Sequence, residues 1–479
     1  MGDIETDYLV VGAGATGMAF VDALLAKTDA RVVLVDRRHA PGGHWLDAYP
    51  FVRLHQPSAN YGVASERLGH DAVDAAGPNA GFYERATAAE ICDYFRGVLE
   101  TTFIPSGQVQ FLGMSDFRGE ETDGHCVTSL LTGARTTVRA RVLVDATYVQ
   151  SEIPSRHALP YDVEPGVRVV APNDLVNLDE PPRGFTVVGA GKTAMDTCNW
   201  LLDTGVDPDR IVWIRPRESW MFDRRTMQPL EEVAAYMQMQ ASWVEAAATA
   251  ADGPGFAHLL EEAGVFVRIA PDVEPEMFRG ATISMREVEQ LRTIERVVRR
   301  GHVRVIGRDR VVLDGGDLPG DADRVYVDCT ARGVPTPERR PVFEPGRITM
   351  QYVTIGIVPW SAATIGTVEA SRDDIEDKNR LCPPLTFTGD VADLLWMAHS
   401  GMTGLITRGS EPDLAAWNED CRLNPAAGAM ARFAEPDIAV AVTSMAEHIG
   451  PAMRNLAERT VQAAVPAQQP RSPRLSSQM

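Results

Sequence analysis

A chain of 479 residues with 44% hydrophobic and 23% charged side chains is long enough for two or three domains, each with its own core, and has the balance of a soluble globular protein. Its 66 acidic against 46 basic side chains leave a formal charge of −20, which repels phosphate backbones and anionic lipid. Nucleic acid and membrane are thereby excluded as main partners, and the six cysteines, with no CxxC pair, exclude a closely spaced redox couple and suit a reducing cytoplasm.

The first strand, Tyr8 to Val11, begins so early that no signal peptide is expected, and no apolar run approaches about 18 residues, so a cytoplasmic protein without a membrane span is expected. Gly2 and Thr6 fit the loose myristoylation pattern, but an acid follows the glycine, and no lipid anchor is expected. Four apolar residues are too few for a soluble helix and right for a buried parallel strand. They run into Gly12, Gly14 and Gly17, which suit a tight turn, close approach to a pyrophosphate and helix-on-strand packing. The helix that follows puts Met18, Val21 and Leu25 on one face. A second strand, Val32 to Val35, ends in Asp36, near the roughly 20-residue offset at which a carboxylate meets a ribose hydroxyl. Arg37 and Arg38 come next, then Pro41-Gly42-Gly43-His44-Trp45, a turn able to wrap a ligand. Tyr49 to Ser58, with Arg53 and His55, reads as extended chain, and Thr87 with Glu90 as a capping box opening a helix through Val98.

From Val109 to Asp145 the pattern predicts a β-meander closing in Asp145-Ala146-Thr147, and the proline-rich stretch from Ile153 to Pro182 a linker. The opening pattern then returns. Phe185 to Val188 form a strand, Gly189, Gly191 and Ala194 a GxGxxA loop with Lys192 and Thr193 inside it, and Ile211 to Ile214 the partner strand. A P-loop is ruled out because Thr186 stands where it needs a glycine, although Lys192 and Thr193 can still bind a pyrophosphate. A second meander exits in Asp328-Cys329-Thr330. The exits lie 133 and 139 residues after Gly12 and Gly189, so a whole nucleotide-binding unit is repeated. Residues 218–300 read as a mostly helical insertion whose Met227, Met237, Met239, Trp243 and Met277 belong to a core more readily than to a pocket. Beyond Asp328 the chain is expected to return to the first domain through a strand from Arg347 to Val358 and a helix from Pro359. Thr388-Gly389-Asp390 is either a ribityl contact or a polar turn with Asp390 near an N-cap.

The second strands differ usefully. Asp36 accepts ribose hydroxyls and repels a 2′-phosphate, whereas Arg215-Pro216-Arg217 offers guanidinium forks for one, which predicts FAD at the first cradle and NADPH, rather than NADH, at the second. The order GAGATG, VVLVD, GGHW, YP, DAT, GAGKTA, DCT resembles the class B flavin monooxygenases (flavin-containing, Baeyer–Villiger and N-hydroxylating types) over about residues 7–335. That resemblance implies an α/β protein with two Rossmann-type domains: a discontinuous FAD-binding domain, 1–150 and 331–435, with an NAD(P)-binding domain, 151–330, inserted in it. A C-terminal helical segment, 436–467, and a disordered tail, 468–479, complete the expected plan. It also implies that Gly43, His44, Trp45 and Tyr49-Pro50 border the flavin, and that hydride passes from NADPH to FAD. Oxygen then adds to give a flavin C4a-hydroperoxide that oxygenates a small molecule. Arg53 matches the family's arginine, but His55 stands where Baeyer–Villiger enzymes carry aspartate. His157 and Tyr161 keep the end of the family fingerprint, while Ser151 and Ile153 replace its phenylalanine and glycine. Arg53, to stabilise the anionic reduced flavin or the peroxide, and His55, to tune the peroxide's proton, are the catalytic candidates. No metal is expected, and self-association stays open. The alternatives are an oxidase, reductase or dehydrogenase with the same cofactors, and a non-catalytic flavin-binding scaffold.

Overall fold

The computed structural model describes residues 3–121, 124–333, 336–385 and 387–462, so Gly2 and the tail expected from residue 468 lie outside it. Strand β1 (Asp3–Val11) carries the first sheet because Leu9 and Val10 are wholly buried and pair on both sides. α1 (Ala15–Leu25) crosses over it, burying Met18, Phe20, Val21 and Leu24, and leads to β2 (Val32–Val35), parallel to β1. The Thr87 hydroxyl accepts the Glu90 N–H (3.3 Å) and the Glu90 carboxylate accepts the Thr87 N–H (2.7 Å), starting α2 (Ala88–Gly97) as the capping box predicts. β3 (Val109–Leu112) then pairs with β2 in parallel, rather than opening the predicted meander. A short apolar run reads alike in either setting; the long crossover through α2 makes it parallel. β4 (Ser115–Glu121) and β5 (Gly124–Ser129) form a hairpin against the first half of β6 (Arg135–Asp145), which runs parallel to β1.

The chain next builds β7 (Asp162–Val163), β8 (Arg168–Val170), β9 (Phe185–Val188), α3 (Lys192–Asp203) and β10 (Ile211–Ile214). It then leaves for the insertion: β11 (Ser219–Asp223), α4 (Val233–Thr249), α5 (Gly253–Glu262), β12 (Phe266–Val267), β13 (Met277–Ile283) and α6 (Met285–Arg292). Expected as mostly helical, the insertion also holds a sheet, β12-β11-β13, sealed by the rings of Phe222, Phe266, Phe278 and Trp243. Met237, Met239, Trp243 and Met277 are buried, and each such side chain contributes about 1.5–3 kcal/mol of hydrophobic stabilisation. β14 (Val297–Val298) rejoins the second sheet. β15 (Val303–Ile306), β16 (Arg310–Leu313) and β17 (Gly316–Pro319) make the expected meander, and β18 (Val325–Asp328) completes a parallel sheet in the order β14-β10-β9-β18-β8.

β19 (Phe343–Glu344) and β20 (Arg347–Thr349) return to the second half of β6; the strand expected to reach Val358 stops at Thr349. α7 (Val358–Ser371) lies across α1, so close that a Cβ on Gly366 would stand 2.8 Å from the Phe20 carbonyl. After α8 (Ile375–Leu381), α9 (Leu394–Gly409) packs Leu394, Met397 and Met402 into the core of the insertion rather than onto the first sheet. α10 (Pro412–Asp420) follows, and α11 (Pro436–Gln462) lies along α4, with Asn455 donating to the Ala247 and Ala250 carbonyls (both 2.9 Å). Among the described residues no helix is long and apolar enough to cross a membrane.

Candidate functional site

The two glycine loops stand at the C-terminal ends of β1 and β9. At the first, a Cβ on Gly17 would fall 1.9 Å from the Gly12 carbonyl, so only glycine lets α1 sit this low on the sheet. Gly14 meets the turn predicted to wrap a ligand: a Cβ on Gly43 would lie 2.9 Å from the Gly14 Cα. At the second loop, Gly189 (φ +144°) rests on the exit strand, where a Cβ would be 2.5 Å from the Cys329 carbonyl, while Gly191 faces open space. Neither α1 nor α3 has a side-chain cap or an acid in its first turn, which leaves their N–H groups and positive dipole ends to an anion, so both cradles fit a pyrophosphate.

Around the first cradle Asp36 is buried and accepts the N–H groups of Ala13 (2.7 Å) and Arg38 (2.8 Å). Arg37, expected among the cofactor ligands, turns outward, with its Nε 3.4 Å from Asp116; Arg38 points inward onto Asp47 instead (2.7 and 2.9 Å). Side chains alternate along an extended chain, so only one of two consecutive arginines can face the cleft. Trp45 donates to the Tyr61 hydroxyl (2.6 Å) and packs beside His44, whose ring centroid is 4.8 Å away. His44 is exposed, and desolvation by the surrounding protein, with the Arg38 cation, lowers its pKa to about 4.

The segment from Tyr49 to Pro57 runs between the two cradles. The Tyr49 hydroxyl donates to Asp196 on α3 (3.0 Å), and Phe51 stacks on Trp200 at 4.6 Å. Arg53 and His55 part company. Arg53 donates to the Arg85 carbonyl (3.0 Å) and acts on Glu90, the capping acid of α2, whereas His55 faces Lys192 and Asp196. Burial, with the Lys192 cation beside it, lowers His55 to about 4, so its imidazole is neutral at physiological pH.

Lys192 does not reach toward a pyrophosphate as expected. It is buried and paired with Asp196 and with Glu287 of α6 (3.7 Å), and Glu287 also meets Arg224 at 2.5 Å. Arg85 joins this cluster, lowered to about 10 by burial and by Arg224. Thr193 stands beside the Tyr49 hydroxyl. Arg215, expected to read a 2′-phosphate, is 1% exposed, bonded to Glu218 (2.8 Å) and laid over Trp213 at 4.5 Å. Its place after the strand is as expected, but burial commits its charge to the nearest acid. Arg217 remains exposed, with no ion pair among the described residues. His157 (3.0 Å from the Thr330 hydroxyl) and Tyr161 (donating to Asp328, 2.9 Å) both sit on the second exit.

Sequence reading missed Asp196, Glu287, Arg224 and Arg85. The first two carried a signal, Lys192 to Asp196 being one helical turn and Ser284-x-x-Glu287 a capping box; the buried arginines carried none. Thr388-Gly389-Asp390 forms a polar turn with Asp390 as the N-cap of the short helix Val391–Asp393. Asp390 accepts the Ala392 N–H (2.9 Å), and the Gly389 carbonyl accepts the Phe278 N–H (3.1 Å), docking the segment on β13.

A family model described as an NAD(P)-binding Rossmann-like domain matches residues 10–65. The chain is 45% identical over 422 residues to the uncharacterized protein Rv2000 of Mycobacterium tuberculosis, covering 88% of this chain and 78% of that protein, and equally to Mb2023 of Mycobacterium bovis. Among solved structures, polycyclic ketone monooxygenase from Thermothelomyces thermophila superposes with a TM-score of 0.51 at 13% identity, covering 96% of this chain and 89% of that one. An NADP+-bound cyclohexanone monooxygenase from Rhodococcus sp. Phi1 gives 0.47 at 14% identity, covering 77% and 84%.

Proposed function

Because the chain belongs to the family of the mycobacterial protein Rv2000 and has the two-dinucleotide fold of class B flavin monooxygenases, we propose that it is a cytoplasmic FAD-dependent, NADPH-linked oxidoreductase that transfers oxygen to a small organic molecule. The observation that carries this reading is the repeated cradle: two uncapped helix starts, each behind a glycine loop resting on an Asp-x-Thr exit, joined by the segment 49–57. FAD supplies hydride acceptance and oxygen activation when bound. Asp36 gives two of its acceptor sites to backbone N–H groups and keeps about two for ribose hydroxyls. Arg217 takes the 2′-phosphate. The neutral His55 ring offers one N–H donor and one acceptor nitrogen at the junction of the cradles and holds no charge against the nicotinamide.

Arg53 favours a second reading, since its bond to the Arg85 carbonyl turns it from the flavin role expected of it. On that reading the same cofactors serve an oxidase or reductase without oxygen insertion. Anaerobic stopped-flow mixing of the yellow protein with NADPH tests both. Bleaching near 450 nm, roughly the oxidised-flavin band, is expected; none with either nicotinamide would sink both readings. Aerobic reoxidation with candidate substrates then separates oxygenated product from released peroxide. A higher kcat/KM with NADH than with NADPH would refute the 2′-phosphate assignment.

A further inference from the structure

A cavity of about 410 Å³ opens behind the first cradle. The Gly12 loop stands at the C-terminal end of β1, whereas the cavity lies toward the other end of that sheet, where β20 begins at Arg347 and where α1 and α7 finish, with Thr28 and Glu369 in its wall. Its volume falls within the roughly 300–1,000 Å³ of small-molecule sites. No residue of either glycine loop lines it, so it is independent of the two cofactors.

One wall is a chain of polar groups on β1, α7 and α8. The Tyr8 hydroxyl donates to one oxygen of Glu369 (2.7 Å), and the Lys378 ammonium donates to the other (2.7 Å). Tyr8 and Lys378 are buried, and Lys378 also lies 5.7 Å from the centre of the Phe343 ring. Arg141 comes over the opposite side of Tyr8 from β6, its guanidinium carbon 5.7 Å from the centre of that ring. Most of the charge around the cavity is matched within the protein: Lys378 by Glu369, Arg347 by Asp145 (3.0 Å) and Arg372 by Asp413 (2.9 Å). Arg141, Glu344 and Asp373 are left over. All three line the cavity and are exposed, and none makes an ion pair among the described residues.

These three charges define what the cavity can hold. A simple anion would meet Arg141 but be repelled by two carboxylates, and a simple amine would leave the guanidinium unmatched. A molecule with one carboxylate and one ammonium satisfies both signs, and a guanidinium fork takes a carboxylate through two parallel hydrogen bonds. We propose that the cavity is a further small-molecule site, which binds a free amino acid with its carboxylate on Arg141 and its ammonium on Glu344 and Asp373.

The test is calorimetric titration of the purified protein with glycine, L-alanine, L-glutamate, L-lysine and L-phenylalanine, and with propionate, propylamine and inorganic phosphate as probes that carry one sign of charge. Saturable binding of at least one amino acid is expected, with a Kd of about 1 mM or tighter, and the probes should bind about tenfold more weakly or worse. Arg141→Ala should weaken that amino acid about tenfold or more, and so should the double variant Glu344→Gln, Asp373→Asn. Arg347 is left in place because it braces Asp145, at the exit of the first cradle. No saturable binding of any of these amino acids overturns the proposal. Propionate or phosphate binding as tightly as the amino acid also overturns it, by making the cavity an anion site, and an unchanged Kd in either variant does the same. Thermal unfolding reports folding, and if Arg141→Ala fails to fold, the double variant, at two exposed positions, carries the comparison.

Discussion

Glu287→Gln opens the buried charge cluster between the cradles with the least change of shape. Burial pushes the Glu287 carboxyl up, but Lys192, Arg224 and Arg85 outweigh it and hold the group well below the usual carboxylate range. The glutamine keeps an acceptor for the Ser284 N–H and hydroxyl, which now bond the carboxylate at 2.8 and 2.9 Å, so what is lost is mainly charge. Arg224, fully buried, is then left with no ion-pair partner among the described residues, and Lys192 keeps only Asp196. Removing one member of a buried pair costs about 3–5 kcal/mol, against about 0.5–2 kcal/mol for a helix cap, so the charge term decides the outcome. At about 2–4 °C per kcal/mol for a unit of roughly 150–250 residues, Tm should fall by about 6 °C or more. The pH dependence follows from the depressed pKa. The contribution is fully present above the unfolded value of 4.5 and is lost as pH falls toward the folded one, so wild type and variant should converge in acid. Thermal unfolding followed by tryptophan fluorescence, at neutral pH and below 4.5, measures both effects. A shift under about 2 °C at neutral pH, or a gap that widens in acid, would refute the reasoning. Replacing Arg224→Met and Glu287→Leu together should restore part of the loss, because a packed apolar pair carries no desolvation penalty.

Gly17→Ala should yield protein without flavin, since its methyl would stand 1.9 Å from the Gly12 carbonyl; a normal ratio of flavin to protein absorbance would contradict this. Gly191→Ala should keep its flavin, because its methyl enters open space, yet raise KM for NADPH about tenfold by crowding the pyrophosphate, as steady-state kinetics would show. With His55 held at about 4, the rate of flavin reduction should show no inflection from this residue between pH 5.5 and 8, and His55→Ala should lower the rate without changing the shape of the profile. Arg215→Ala should lower Tm, by stripping Glu218 of a buried partner, without altering the preference for NADPH over NADH, and a switch in preference would return Arg215 to the cofactor site.

Both glycine loops, their strands, the paired exits and the Thr87–Glu90 cap are legible from the chain alone, because each is set by sterics or hydrogen bonds among residues close in sequence. The contrast between Asp36 and Arg217 is legible for the same reason, since both follow a strand whose end faces the cradle. Residue type could not say which arginine is free. Arg215 and Arg217 are two positions apart, and only the packing of Glu218 and Trp213 buries one and leaves the other exposed. Likewise the placing of β3, the separation of Arg53 from His55 and the capture of Lys192 by Glu287 all depend on segments distant in sequence. Local pattern therefore determined where nucleotides can rest. Tertiary structure decided which charges are left to hold them, because a charge in a folded protein belongs to whatever opposite charge the fold brings within reach.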